Sequence, residues 1–261
     1  MNSNRSVRVV GPGRAGGAFT SALTNVGWTV LAPVSRGESV ADAAQGVDLL
    51  LIATPDGAIA EVADSIAPVE TTVVAHLSGA RGLDVLATHP LRAALHPLTS
   101  MPSADVGAQR LARGAWFALD ASSERAMEIV ESVVVALGGQ SFVVDDEHRS
   151  AYHAAAAIAS NHVVALLGSA ERVAASAGVP LEAYLELVRA TVDNIEDLGV
   201  VDALTGPVAR GDWETVARHR EAIDSSELAL YDALVEAARR VVDSLTGLAD
   251  ETQSTNPRTE S

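Results

Sequence analysis

The 261-residue chain contains no cysteine. Thiolate catalysis, disulfides, iron–sulfur clusters and cysteine-ligated zinc are therefore excluded. It also contains no lysine: all 18 basic residues are arginines. Neither a Schiff base nor a lysine general acid can form. No apolar run reaches the ~18–20 residues that a spanning helix needs; the stretch 151–159 is apolar but too short. The opening residues MNSNRS run directly into a short apolar strand instead of a long secretory core, so a cytoplasmic location is expected. The formal net charge is −16. A surface that acidic repels phosphate backbones and anionic lipid, which argues against nucleic-acid and membrane partners. No metal site is expected: there is no H-E-x-x-H, and the carboxylates are scattered as on solvated helix faces.

What remains is rich in core-forming residues, 48% hydrophobic and 20% charged, enough for two modest domains. The first half alternates short apolar runs with helical patterns. Strands are expected at 7–10, 28–34, 47–53, 72–76, 92–96, 115–119 and 141–144, with helices at 13–26, 58–66 and 123–137. The run VDLLLIA at 47–53 has no polar alternation, as in a strand buried on both faces. This order predicts an α/β fold, a doubly wound parallel sheet of Rossmann type spanning 1–146. From 147 the pattern turns all-helical, with helices at 147–177, 181–198, 212–223 and 226–248, so 147–249 reads as an all-α C-terminal domain. The polar tail 250–261 lacks apolar periodicity and is expected to be disordered.

The sharpest local signal is Gly11-Pro12-Gly13-Arg14-Ala15-Gly16, with G-x-G-x-x-G spacing between a strand and a helix. In that context Gly11 permits the tight turn, Gly13 admits a pyrophosphate close to the backbone, and Gly16 lets the helix pack on the sheet. The amides of Arg14, Ala15 and Gly16 at the helix start would hold the anion. The chain is thus expected to bind a nicotinamide dinucleotide. NAD sites carry an acid at the end of the second strand; here Ser35-Arg36 stands there, and the nearest acid is Glu38. A hydroxyl and a guanidinium suit a 2′-phosphate, with Arg14 a second charge, so NADP is favoured over NAD. The loop Thr54-Pro55-Asp56 is expected to bring the Thr54 and Pro55 backbone to the cofactor and Asp56 to a helix cap.

Four further strings stand out: His76-Leu77-Ser78-Gly79-Ala80; Leu95-His96-Pro97-Leu98; Tyr152-His153-Ala154-Ala155-Ala156-Ala157-Ile158-Ala159-Ser160-Asn161; and Ala203-Leu204-Thr205-Gly206-Pro207-Val208-Ala209-Arg210-Gly211-Asp212. With the glycine motif they resemble the bacterial proteins that join a Rossmann-like domain to a helical domain labelled DUF2520, over nearly the whole chain to about residue 248. The resemblance implies membership of the 6-phosphogluconate-dehydrogenase-like superfamily. Some proteins of this kind look like an alternative type of ketopantoate reductase. It also implies a homodimer formed through the helical domain and a small-molecule site in a cleft between the domains.

In several relatives within that superfamily a lysine on the interdomain helix assists proton transfer, with an asparagine one turn later in the hydroxyacid enzymes. The resemblance puts Asn161 at the asparagine position, and Ala157, one turn earlier, cannot transfer a proton. His153 lies eight residues before Asn161, about 80° round a regular helix, and can border the same cleft. The expectation is that His153 replaces the lysine as proton donor, since an imidazole titrates near neutral pH. Asn161 would orient the substrate. A hydrogen-bonded core histidine is the competing account of His153. His96 is a rival donor, and Ser78 suits either a substrate contact or a strand-end cap. Thr205 and Arg210 are candidate substrate contacts, although Arg210 suits a loop tie to Asp202 or Asp212 equally well. Asp212 is expected to cap the next helix. The function expected is NADPH-dependent reduction of a small 2-oxo acid, with ketopantoate the named candidate. Reduction of a cyclic imine of the pyrroline-carboxylate type and a non-catalytic NADP sensor are the alternatives, and nothing in the sequence discriminates an F420-linked role.

Overall fold

A computed structural model describes residues 5–254. They divide into two compact units, one up to residue 160 and one from 161 on.

The first unit is built on a seven-stranded sheet in the order β2-β1-β3-β4-β5-β6-β7. The strands are β1 (Ser6–Val10), β2 (Thr29–Val30), β3 (Leu49–Ile52), β4 (Val73–His76), β5 (Leu91–Pro97), β6 (Trp116–Ala121) and β7 (Gln140–Val143). All neighbours pair in parallel except β5 and β6, which run antiparallel. The helices are α1 (Arg14–Asn25), α2 (Ile59–Asp64), α3 (Ala104–Leu111), α4 (Glu124–Ala136) and α5 (Asp146–Ala157).

The apolar run in β3 shows why the sheet is covered on both sides. Leu49 and Leu51 join a core with Val7, Val9, Phe19, Leu23, Phe117 and Val130. Leu50 and Ile52 point the other way, into a core with Val10, Ile59, Ile66, Val74 and Leu86. Successive side chains of a strand face opposite sides, so a strand buried on both faces needs no polar alternation. Each of these fully buried side chains contributes roughly 1.5–3 kcal/mol.

Helix α3 has no counterpart in the sequence reading. Its sequence, ADVGAQRL, is weakly apolar and carries a glycine at its centre. Packing explains it: a Cβ at Gly107 would stand 2.7 Å from the Ala18 Cβ, and one at Gly17 would stand 2.9 Å from the Ala104 Cβ. Small residues let α1 and α3 approach closely. β2 is also shorter than expected; only the isolated Val10–Val34 bridge continues its line.

The second unit contains α6 (Val163–Ser176), α7 (Glu182–Asp202), α8 (Trp213–Ala222) and α9 (Leu228–Ser254). Asp212 caps α8, accepting from the Thr215 amide at 3.1 Å, as expected. Three boundaries differ from the sequence reading. The helix expected over 147–177 is interrupted by a π-turn at Ile158–His162. Helical character begins at Asp146 as expected, but the compact units divide after 160, because α5 is tied to the sheet. Helix α9 runs to Ser254, five residues into the expected tail; 255–261 lie outside the described residues. No helix of the described residues is long and apolar enough to cross a membrane.

Candidate active site

The glycine turn has the expected geometry. Gly11 lies at φ +86°, a conformation L side chains rarely adopt, and a Cβ there would meet the Ala53 carbonyl at 3.1 Å. A Cβ at Gly16 would lie 2.2 Å from the Gly11 carbonyl oxygen. At Gly13 no described heavy atom lies within 4 Å of the Cβ position. Gly13 caps α1 without a side chain, so the first-turn amides of Arg14, Ala15 and Gly16 meet no capping oxygen. Open space before a helix N-terminus with unspent amides fits a pyrophosphate. The Gly11 amide donates to the Val34 carbonyl at 2.9 Å, which brings Ser35 and Arg36 beside this turn. Arg14 and Arg36 are exposed, and neither forms an ion pair among the described residues. The Glu38 carboxylate is used locally, accepting from the Ser35 amide at 2.6 Å.

From this turn a continuous line of contacts leads to the histidines. The Thr54 methyl lies 3.2 Å from the Cβ position of Gly11, and the Thr54 hydroxyl oxygen is buried without a partner among the described residues. Pro55 follows, and then Asp56, whose carboxylate accepts from the Ser78 hydroxyl at 2.7 Å. Asp56 was expected to be a helix cap. Instead Pro55 stands at the N-cap of the short 3-10 turn Asp56–Ala58, with no side-chain bond, and the carboxylate reaches across to β4's loop because Ser78 offers it a buried hydroxyl.

That loop, 78–82, is pinned along its length. The Ser78 oxygen also accepts from the amides of Ala80 and Arg81, each at 3.1 Å. Its donor and acceptor capacity is thereby spent on positioning. His76 is fully buried; its Nδ1 accepts from the Ser78 amide at 3.2 Å and its Nε2 donates to the Gly82 carbonyl at 3.1 Å. Burial pushes its pKa down, so it serves as a neutral strut. A Cβ at Gly82 would stand 2.5 Å from the Asp146 carboxylate.

Gly79 is the pivot. A Cβ there would lie 2.8 Å from His96 Nε2 and 2.8 Å from His153 Nδ1. Both nitrogens therefore pack against Gly79 and are at most about 5.6 Å apart; the ring centroids are 6.1 Å apart. His153 Nδ1 is buried and finds no hydrogen-bond partner among the described residues. His96 Nδ1 is bonded to the Tyr152 hydroxyl at 2.5 Å. Burial, and then the neighbouring His153, lower the His96 pKa to about 4. Burial raises Tyr152 to about 12. Tyr152 also packs edge-on against Phe142 of β7, with centroids 5.7 Å apart.

Helix α5 carries Tyr152 and His153, and Arg149 anchors it. That guanidinium is only 3% exposed; it donates to the Asp120 carboxylate (2.8 Å), the Asp146 carboxylate (3.0 Å) and the Val144 carbonyl (3.1 Å). Asp145 caps the helix, accepting from the His148 amide at 3.0 Å.

The structure thus joins Gly11, Gly13, Thr54, Ser78, His96 and His153 of the sequence candidates within one unit. Asn161, Thr205 and Arg210 belong to the second unit, and all three are exposed. Asn161 sits within the π-turn, so the 80° separation from His153, which assumes a regular helix, does not hold. Arg210 forms no ion pair with Asp202 or Asp212 among the described residues. The sequence reading gave no role to Tyr152 or Gly79 and took Asp56 for a helix cap. The adjacency of Tyr152 to His153, and a glycine directly after Ser78 at a strand end, were the available signals.

Among known proteins, a model described as a Rossmann-like domain matches residues 33–102. A model described as a domain of unknown function, DUF2520, matches 115–238. No curated protein matches. Several solved structures share the fold. A Bacteroides fragilis protein described as a candidate NADP oxidoreductase is 20% identical, with TM-score 0.75, over 91% of this chain and 98% of that one. A Thermotoga maritima protein is 27% identical, with TM-score 0.71, over 92% and 99%. A reductive aminase from Aspergillus terreus, in complex with NADPH and ethyl levulinate, is 16% identical, with TM-score 0.64, over 91% and 94%.

Proposed function

We propose that this chain, which belongs to the family joining a Rossmann-like domain to a DUF2520 domain, is an NADP-dependent reductase of a small 2-oxo acid, with ketopantoate the first candidate. One observation carries the reading. A glycine turn with open space before its helix is connected, through Thr54, Asp56 and Ser78, to two histidines that each pack a ring nitrogen against Gly79. The fold is shared with a candidate NADP oxidoreductase and with a reductive aminase complexed with NADPH. The ketopantoate assignment rests on the resemblance of the four sequence strings.

Gly11, Gly13 and the amides of Arg14, Ala15 and Gly16 would hold the pyrophosphate, Ser35 and Arg36 the 2′-phosphate, and Thr54 and Pro55 the nicotinamide half. The bound dinucleotide would supply the hydride. The chain's own task would be to hold the carbonyl oxygen and deliver a proton to it, the roles this reading gives to His96 and His153. The test is NADPH oxidation at 340 nm with ketopantoate, a 2-oxo-acid panel and pyrroline-carboxylate, comparing the natural chain with His153→Ala. Turnover of a 2-oxo acid that falls about 10²-fold or more in the variant is the expected result. Tight NADPH binding with no turnover on any of these would leave the sensor reading.

A second reading, imine reduction, is favoured by the low pKa of His96. A protonated imine brings its own positive charge and needs little acid help. Pyrroline-carboxylate turnover that survives His153→Ala would select it.

We also infer that the chain forms a homodimer through its helical unit. Helix α7 has no buried residue over 21 positions. Leu187, Ile195 and Leu198 fall within about 80° of its circumference and are exposed. Sedimentation should give twice the chain mass, and Leu187→Glu with Leu198→Glu should give the monomer. A monomeric natural chain at micromolar concentration would overturn the inference.

A further inference from the structure

The two histidines beside Gly79 differ in what stands behind them. His153 packs a buried Nδ1 against Gly79, with no partner among the described residues. His96 turns Nε2 toward Gly79 and has its Nδ1 bonded to the Tyr152 hydroxyl at 2.5 Å. A neutral imidazole carries one N–H, and the hydrogen bond made by one nitrogen decides which of the two bears it.

Two arrangements are possible for the Tyr152–His96 bond. If Nδ1–H donated to the tyrosine oxygen, the phenol O–H would need another acceptor. Among the described residues it has none, and an unsatisfied donor in a half-buried place is costly. If the phenol donates to Nδ1, both groups are satisfied and the imidazole proton resides on Nε2, facing Gly79. The phenol is locked in place for this task. Phe142 packs against its ring, and Arg149 ties α5 to β6 and the end of β7.

We propose that Tyr152 is a positioning residue: by donating to Nδ1 it holds His96 as the Nε2–H tautomer, so that His96 gives the substrate's carbonyl oxygen a neutral hydrogen bond while His153 delivers the proton. The proposal rests on the reductase reading given above. The balance closes without a further reagent. The bound dinucleotide would supply the hydride to the carbonyl carbon and be oxidised to NADP⁺, and the electron pair of the C=O π bond would move to oxygen. The His153 imidazolium gives that oxygen its proton and becomes neutral, to be reprotonated from solvent. His96 keeps its own proton throughout, and its bond strengthens as negative charge grows on the oxygen. A neutral His96 agrees with its surroundings. Burial opposes a positive charge most; of the charged groups that bear on it, a protonated His153 and Arg149 oppose one and Asp56 favours one.

The test uses the full chain labelled with ¹⁵N-histidine. A long-range ¹H–¹⁵N spectrum at pH 7 is assigned for His96 by comparison with His96→Gln. The expected spectrum shows Nδ1 as the bare, acceptor nitrogen and Nε2 as the protonated one. In Tyr152→Phe the same residue should become a mixture of tautomers. Its kcat should fall about ten- to a hundredfold with NADPH affinity unchanged. A natural protein whose His96 carries its proton on Nδ1 overturns the proposal, as does a Tyr152→Phe protein with an unaltered His96 tautomer. Neither tautomer readout depends on turnover. An inactive natural chain with the expected spectrum would therefore overturn the reductase reading and still support the tautomer assignment.

Discussion

Arg36 stands two residues beyond Val34, whose carbonyl accepts the Gly11 amide, and it has no ionic partner among the described residues. An arginine so placed has its planar fork available for a phosphate. Charge-assisted bonds of that kind contribute about 1.5–3 kcal/mol. Arg36→Ala should therefore weaken NADPH binding about 10- to 100-fold by fluorescence titration and leave NADH nearly unchanged. Equal losses for both would mean that Arg36 is not a 2′-phosphate ligand. At this scale the sequence was readable where chemistry is local. The glycines of 11–16 act through their own backbone. Asp56 was misread because its partner, Ser78, is 22 residues away, and Tyr152 was given no role because His96 is 56 residues away.

At the scale of elements, the placement of His153 depends on how α5 is held. Arg149 is nearly fully buried between Asp120 of β6 and the Val144 carbonyl. Removing one partner of such a pair leaves the other desolvated and unpaired. Arg149→Met should lower stability by about 2–4 kcal/mol, read from urea denaturation. Adding Asp120→Leu should recover part of that loss, because an apolar pair carries no uncompensated charge. A double variant less stable than the single one would contradict this account. Strands β3 and β4 were legible because a doubly buried strand is a nearly continuous apolar run. Helix α3 was not, since Gly107 is explained only by its contact with Ala18 on another helix. The π-turn at Ile158–His162 was equally hidden, because its Ala-rich surroundings read as regular helix.

For the whole molecule, three histidines couple folding to pH. Burial lowers the pKa of His76, His89 and His96, the last to about 4. An unfolded chain takes up these protons near pH 6.5. Between that pH and the lower folded values the unfolded state holds more protons, and stability there rises with pH. The stabilisation is fully present above about pH 6.5 and is lost as the pH falls toward 4. The urea midpoint should drop across that window, and His96→Gln should flatten the drop. Glu227, held low by Arg172 and Ser169, adds a loss at more acid pH. A midpoint constant from pH 7 to 4.5 would show that these histidines are charged in the folded state.

Loop 78–82 belongs to no strand or helix, yet every part of it is spoken for. Ser78 grips the amides of Ala80 and Arg81, His76 holds the Gly82 carbonyl, and Gly79 lies against the His96 and His153 imidazoles. Loops usually exchange their amide hydrogens quickly, since solvent reaches them without any helix or sheet coming apart. Here the Ala80 and Arg81 amides exchange when the Ser78 oxygen, itself held by Asp56, lets them go. The Ala80 and Arg81 hydrogens should therefore be retained in heavy water far longer than those of exposed turns, as a slow island between two fast segments.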